Sequence, residues 1–340
     1  MTASPPAPGP SALSHASVAI TDAEDPALAG RAPRAVVLRH RVEYAALRGV
    51  LGALGSLEFL RASNVGGRLG RLGFAPLGIR REVVERQIAA AFPDWDAARV
   101  GATARAAYDN LGRTTIESAV LARYDRSRIL ELFDEPPDWH LMERALRGRR
   151  GVIVVAGHLG NWEMGGAYLA ARGLDFEAVA RQMENPLFDG YLTRTRHRLG
   201  MKVIYDGDAV RRVPRALRNN AVVAFLTDQG AAGLASTWVP FFGRLAKTPR
   251  GAAVFALRLQ SPVLFVAPLR KPDGRYILGI EEVPVLETGD RSADVDRIVA
   301  DYTATLERWV RRYPEQYFWH HRRWKHQQPG TPPELGDPLK

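Results

Sequence analysis

The pattern of apolar and polar positions changes rhythm near residue 150. From about 80 to 150 the apolar residues recur at helical spacing, in REVVERQIAAAF, in DAARVGATARAAYDNLGRTTIESAVLARY and around Trp139 to Leu146. Beyond that point short apolar runs alternate with helical patterns. The runs at 152–156 (VIVVA), 176–180 (FEAVA), 202–205 (KVIY), 222–226 (VVAFL), 263–267 (VLFVA) and 276–280 (YILGI) predict strands. Helices are expected near 161–172, 187–199, 208–219 and 248–260, with a last one at about 292–312. Such alternation predicts an α/β fold, a mostly parallel central sheet flanked by helices, to which the earlier region adds a helical N-terminal elaboration.

One further helix is expected over 44–60, YAALRGVLGALGSLEFL, where Leu47, Leu51, Leu54 and Leu57 recur at steps of three and four. Arg48 and Glu58 keep it short of the ~18 uncharged residues a spanning helix needs. Two readings stay open: an amphipathic helix packed on the core, or a helix lying in a membrane interface, flanked by Arg39, Arg41 and Arg61. The membrane-associating candidate spans 36–61. Residues 1–34 are rich in Pro, Ala and Ser, without a basic stretch followed by an apolar one, and read as a disordered leader. One catalytic domain over 35–330 and a Pro-rich flexible tail over 331–340 complete the expected organisation, with no internal repeat.

Composition narrows the chemistry. The 340 residues include no cysteine, which removes disulfides, thiolate metal sites and cysteine nucleophiles. A formal net charge of +10 favours an anionic partner: nucleic acid, an acidic protein or an anionic membrane face. The C-terminal segment interleaves Trp309, Tyr313, Tyr317, Phe318, Trp319 and Trp324 with Arg311, Arg312, Arg322, Arg323 and Lys325. That pattern suits stacked bases and an anionic membrane interface equally well.

The stretch VIVVAGHLGNWE, 152–163, carries the strongest chemical signal. A helix turning ~100° per residue would put His158 and Glu163 roughly 140° apart, so they share a site only if the chain turns between them. Gly157 and Gly160 permit a turn, Asn161 is a good helix N-cap, and Glu163 then falls at the positive end of the helix dipole. A strand–turn–helix junction at the carboxyl edge of a parallel sheet is where open α/β folds bind ligands. An imidazole beside a carboxylate is a general base. With no GxSxG elbow to supply a serine, it is suited to a substrate hydroxyl. A histidine that merely fills a strand end is the plain alternative. No HExxH or similar spacing points to a metal.

AGHLGNWE, with its H-x4-E core, resembles the signature of the bacterial late-stage lipid A acyltransferases and the related phosphatidylinositol mannoside acyltransferases, within the wider H-x4-D/E glycerolipid acyltransferase group. RQMENPLFDGYLTRTRHRLG, LTDQGAAGLASTWVPFFGRLAKTPRGAAVFALR, RYPEQYFWHHRRWKHQQP and AAAFPDW resemble that family's other segments in the expected order, over roughly 36–330. Gln182, where the family pattern has Pro, and Gln260-Ser261, where Gly-Ala is commoner, depart from it.

The resemblance implies transfer of a fatty acyl chain from an acyl carrier protein thioester to a hydroxyl of a lipid A precursor at the cytoplasmic face of the inner membrane, without metal or cofactor. His158 would be the base and Glu163 would orient it. Asn161, Arg181, Asn185, Arg196, Asp228 and Gln229 form the candidate substrate-binding set. Arg181 and Arg196 would grip phosphates, unless they are solvated arginines. Asn185 would bond a phosphate or sugar, or cap the helix beginning at Pro186. Asp228 would pair with an arginine such as Arg181, or begin a turn. Phe241, Phe242, Gly243 and Thr248 would line an acyl channel, or simply pack. Expected partners are acyl carrier protein, an anionic glycolipid and a membrane surface, and no nucleic acid. The rival readings are acylation of another glycolipid, such as a phosphatidylinositol mannoside, from acyl-CoA, and a basic membrane-binding protein with an inactive acyltransferase fold.

Overall fold

A computed structural model describes residues 34–54, 57–230 and 235–340. The expected leader lies outside these residues except for its last position, as does part of the Gly-rich stretch after Gln229. Six strands build the main sheet: β1 (Val152–Ala156), β2 (Phe176–Ala180), β3 (Met201–Tyr205), β4 (Val222–Leu226), β7 (Val263–Arg270) and β8 (Tyr276–Val283). Their order is β3-β2-β4-β1-β7-β8, parallel throughout except for the antiparallel edge strand β8. Every residue of β1 is buried. A central parallel strand covered on both faces must be apolar throughout, which is why VIVVA shows no alternation.

Helices α7 (Trp162–Ala171), α8 (Pro186–Arg198), α9 (Ala209–Arg218) and α10 (Gly251–Leu259) connect the strands, and α11 (Arg291–Arg312) closes the domain. Two apolar clusters form the core. One contains Ile153, Val155, Val223, Phe265 and the buried face of α11. The other contains Val152, Val154, Met164, Tyr168 and Tyr276. The alternate residues of β1 thus feed opposite sides of one sheet.

A two-stranded antiparallel hairpin, β5 (Ser236–Phe241) and β6 (Arg244–Pro249), has no counterpart among the expected strands. Its two-residue loop, Phe242–Gly243, has φ of 51° and 72°, the doubly left-handed geometry of a type I′ turn. The helix expected from 248 begins only at Gly251, because Thr248 and Pro249 belong to β6.

The helical elaboration comprises α1 (Arg34–Leu54), α2 (Phe59–Phe74), α3 (Arg81–Ala91), α4 (Ala97–Val120), α5 (Arg126–Glu131) and α6 (Trp139–Arg147). The single helix expected over 44–60 is thus two. α1 ends at Leu54, and Glu58 is extended at the start of α2. Leu38, Val42 and Val50 of α1 are exposed, Leu54 is buried, and the side chains of Leu47 and Leu51 lie outside the description. No helix among the described residues is long and apolar enough to cross a membrane. α2 crosses α4 at backbone contact: a Cβ on Gly70 would fall 2.0 Å from the Tyr108 carbonyl oxygen, and one on Gly112 would fall 2.1 Å from that of Gly66.

The last ten residues, read as a flexible tail, fold back on the domain. Asp337 is buried and pairs with Arg322, and the Gly336 carbonyl accepts from Arg244 at 2.8 Å.

Candidate active site

The chain turns between His158 and Glu163 as the spacing required. β1 ends at Ala156, and the turn runs through Gly157–Gly160 into α7. Gly160 has φ of 67°, and a Cβ there would lie 1.9 Å from the Pro268 carbonyl oxygen, so only glycine fits. Asn161 is the N-cap, its side-chain oxygen accepting from the Met164 amide at 3.1 Å.

The carboxylate on His158 is not Glu163. Asp228 receives a hydrogen bond from the ring Nδ1 at 2.7 Å on one oxygen and from the His158 backbone N–H at 2.9 Å on the other. The reason lies in the sheet register. Ala156 pairs with Leu226 across the parallel β1–β4 ladder, so residues two beyond each strand end stand side by side at the carboxyl edge. Glu163, in the first turn of α7, instead holds the Arg196 guanidinium of α8 through both of its oxygens, one contact at 3.0 Å. Nor does Arg181 pair with Asp228. It sits exposed at the end of β2 with Asp206 as its partner at 3.6 Å.

With Nδ1–H committed to Asp228, the imidazole Nε2 is left as the basic nitrogen. The ring is 17% exposed at the side chain, flanked by Trp162 edge-on at 4.7 Å and Phe318 at 5.9 Å. The Gln229 amide nitrogen approaches it at 3.3 and 3.4 Å from the two ring nitrogens. Asp228 is buried, which by itself would raise its pKa. The charge of His158, the hydrogen bonds from its ring and backbone, and the Arg323 guanidinium outweigh burial and hold the carboxyl at about 2. Arg323 donates to the Lys247 carbonyl at 2.8 Å and to the Thr248 hydroxyl at 2.6 Å.

The remaining candidates are engaged in structure. Asn185 caps α8 at the amides of Leu187 and Phe188, and its nitrogen donates to the His40 carbonyl at 3.1 Å and the Glu43 carboxylate at 2.9 Å on α1. Thr248 holds Arg323, while Phe241 and Phe242 are buried among Tyr317, Trp319 and Trp324. Part of the C-terminal aromatic and basic segment is therefore interior: Tyr317, Trp319, Arg323 and Trp324 are buried, while Arg311, Arg312 and Lys325 are exposed. Its backbone clamps the turn, Phe318 N–H donating to the His158 carbonyl at 2.9 Å and Gly160 N–H to that of Gln316 at 2.9 Å.

Beneath the turn lies a buried ion pair that local sequence could not reveal. Glu117 of α4 and Arg270 at the end of β7 bond each other, 153 residues apart. Glu117 also accepts from Ser63 at 2.6 Å, from the Asn161 side chain at 2.8 Å and from the Tyr276 hydroxyl. Thr114 donates to the Gly160 carbonyl at 3.3 Å. Among the described residues no group of three or more His, Asp or Glu is placed to hold a metal ion.

The sequence profile of bacterial lipid A biosynthesis acyltransferases matches residues 31–326, most of the chain. The chain belongs to this family. Among curated members and relatives of the lipid A acyltransferases, it is 28% identical over 281 residues to a lipid A biosynthesis palmitoleoyltransferase of Escherichia coli, covering 82% of this chain and 89% of that protein. A lipid A biosynthesis lauroyltransferase of the same organism is 25% identical over 285 residues, 84% of this chain and 92% of its own. A phosphatidylinositol mannoside acyltransferase of Mycolicibacterium smegmatis is 25% identical over 220 residues, 64% of this chain and 69% of its own. As a lipid A acyltransferase family member the protein is an O-acyltransferase, and the rival of a mere binding protein falls away.

Proposed function

We propose that the protein transfers a fatty acyl chain from an acyl carrier protein thioester to a hydroxyl of a lipid A precursor, with His158 as general base oriented by Asp228. The observation that carries this reading is the double hold of Asp228 on His158, at ring and backbone. It fixes the tautomer that leaves Nε2 basic and stabilises the imidazolium once formed. Nε2 takes the acceptor hydroxyl proton as the oxygen attacks the thioester carbonyl. The tetrahedral intermediate collapses with cleavage of the C–S bond, and the imidazolium returns the proton to the departing thiolate. The Gln229 amide, close against the ring, is the nearby donor for the oxyanion.

Glu163 acts through Arg196 rather than through His158: it anchors a guanidinium beside the turn, where, with Arg181 at the rim, it meets phosphates of the acceptor. The +10 surface suits an acidic carrier protein and the anionic cytoplasmic face of the inner membrane. Mass spectrometry of lipid A from cells with and without the gene tests the acceptor. Loss of one acyl chain when the gene is removed is expected, and an unchanged lipid A would refute the substrate while leaving the family intact. Acylation of a phosphatidylinositol mannoside would then be the reading to take up, on the likeness to the mycobacterial relative.

A further inference from the structure

The connection between α2 and α3 presents apolar side chains to solvent on a well-tied turn. Leu77 is 65% exposed and Ile79 57%, and on the adjoining last turns of α2 Leu69 and Leu72 are each 49% exposed. This is no loose loop. The Leu77 N–H bonds the Leu72 carbonyl at 3.2 Å, the Ile79 N–H bonds that of Gly73 at 2.9 Å, and the Ile79 carbonyl accepts from the buried Tyr108 hydroxyl. The turn's backbone is therefore tied internally, while four large aliphatic groups remain about half exposed or more.

The segment's own charges are of one sign, with Arg71 paired to Asp109 of α4 and Glu82 and Glu85 following on α3. Residues 59–80 contain four arginines and no acidic residue. Arg61, Arg68 and Leu72 recur at steps of seven and four, one stripe of α2 with Leu69 beside it, and Arg61, Arg68 and Arg80 are all exposed. The tip is also joined to the site. Tyr108 meets His320 at 4.3 Å between ring centroids, His320 stacks on Phe318 at 5.4 Å, and Phe318 lies 5.9 Å from His158.

We propose that this basic, leucine-tipped turn, Leu69–Arg80, is the surface by which the protein seats on an anionic lipid bilayer, in a position that brings the His158 turn to the membrane. The inference rests on the reading that the acceptor is a membrane lipid. It assigns the contact to a segment beyond the 36–61 stretch, for which a membrane-interface helix was one of two readings open from the sequence. Aliphatic side chains enter the acyl boundary while arginines remain at the headgroups, an arrangement that a neutral membrane would reward only in part.

The test is cosedimentation of the full chain with vesicles of phosphatidylglycerol and phosphatidylcholine, and with vesicles of phosphatidylcholine alone. Stronger partition onto the anionic vesicles is expected. Leu77→Glu with Ile79→Glu should weaken it at least tenfold, and Arg68→Gln with Arg80→Gln should weaken anionic binding by roughly fivefold per arginine while removing most of the preference for anionic lipid. These side chains are exposed, so both variants should melt with the wild type and retain wild-type transfer to detergent-dispersed acceptor. Partition of the Leu77/Ile79 variant equal to wild type would overturn the proposal. So would a wild-type dimer that the same variant splits while vesicle binding stays intact, since the tip would then be a contact between copies. Loss of acyl transfer in detergent by the wild type itself would instead refute the catalytic reading.

Discussion

Replacing Asp228 with Asn should damage catalysis far more than replacing Glu163 with Gln. In the folded protein the Asp228 carboxyl is held at about 2 against an ordinary 3.8, with His158 the principal favourable influence. A shift of that size corresponds to a preference of about 2–3 kcal/mol for the carboxylate. Because the shift is downward, that stabilisation is fully present above the ordinary carboxylate range and is lost as pH falls from about 4 towards 2. The Asn variant loses it at neutral pH. It can also turn an N–H toward Nδ1 and favour the tautomer with the proton on Nε2, which cannot act as base. A loss of roughly 10²–10⁴-fold in kcat is expected from such removal of the orienting carboxylate, together with a lower melting temperature. Glu163→Gln leaves His158 and Asp228 untouched and keeps one hydrogen bond to Arg196. Its effect should fall mainly on KM for the phosphorylated acceptor. Steady-state kinetics with an acyl carrier protein thioester and a lipid A precursor separate the two. An Asp228→Asn enzyme with kcat near wild type, or a Glu163→Gln enzyme crippled in kcat with normal KM, would refute the reasoning.

Two further outcomes concern the scaffold. Glu117→Gln strips the buried Arg270 of its counter-charge and should cost about 3–5 kcal/mol in urea unfolding. His320, buried with neither ring nitrogen hydrogen-bonded, has its pKa driven down to about 4 by burial and by the neighbouring Arg80. It folds neutral, so stability is present above the ordinary histidine pKa and falls by about 3 kcal/mol as pH drops from 7 to 4. His320→Phe, which keeps the ring between Tyr108 and Phe318, should flatten that part of the urea-midpoint profile.

What could be read from the chain followed from local physics. Strands β1 and β4 announced themselves as continuous apolar runs, as parallel strands inside a covered sheet favour, and their observed bounds equal the expected ones, as do those of β2 despite Glu177 within it. The turn at 157–161 was legible because two glycines and an N-cap have specific local uses. The hairpin of β5 and β6 was not legible: its loop puts Phe242 at a left-handed position where Asn-Gly is the usual signal. Alternation in STWVPF is further interrupted by Pro240. Asp228 was noticed, but its partner depended on strand order, which no local pattern encodes; Glu163 was nearer in sequence and further from the point. Arg323 looked like one of several surface cations, and only the packing of the C-terminal segment onto the hairpin buries it. Glu117 and Arg270 had no signal at all, since a buried ion pair between distant elements looks in sequence like two ordinary charges.

The central claim is that the His158 imidazole, held by Asp228, takes the proton from the acceptor hydroxyl. It is met most directly by following transfer of a labelled acyl chain from acyl carrier protein to a lipid A precursor, with purified wild-type and His158→Ala proteins of equal melting temperature. The account predicts transfer by the wild type and a fall of at least 10²-fold in the variant. Transfer at the wild-type rate by His158→Ala would contradict it.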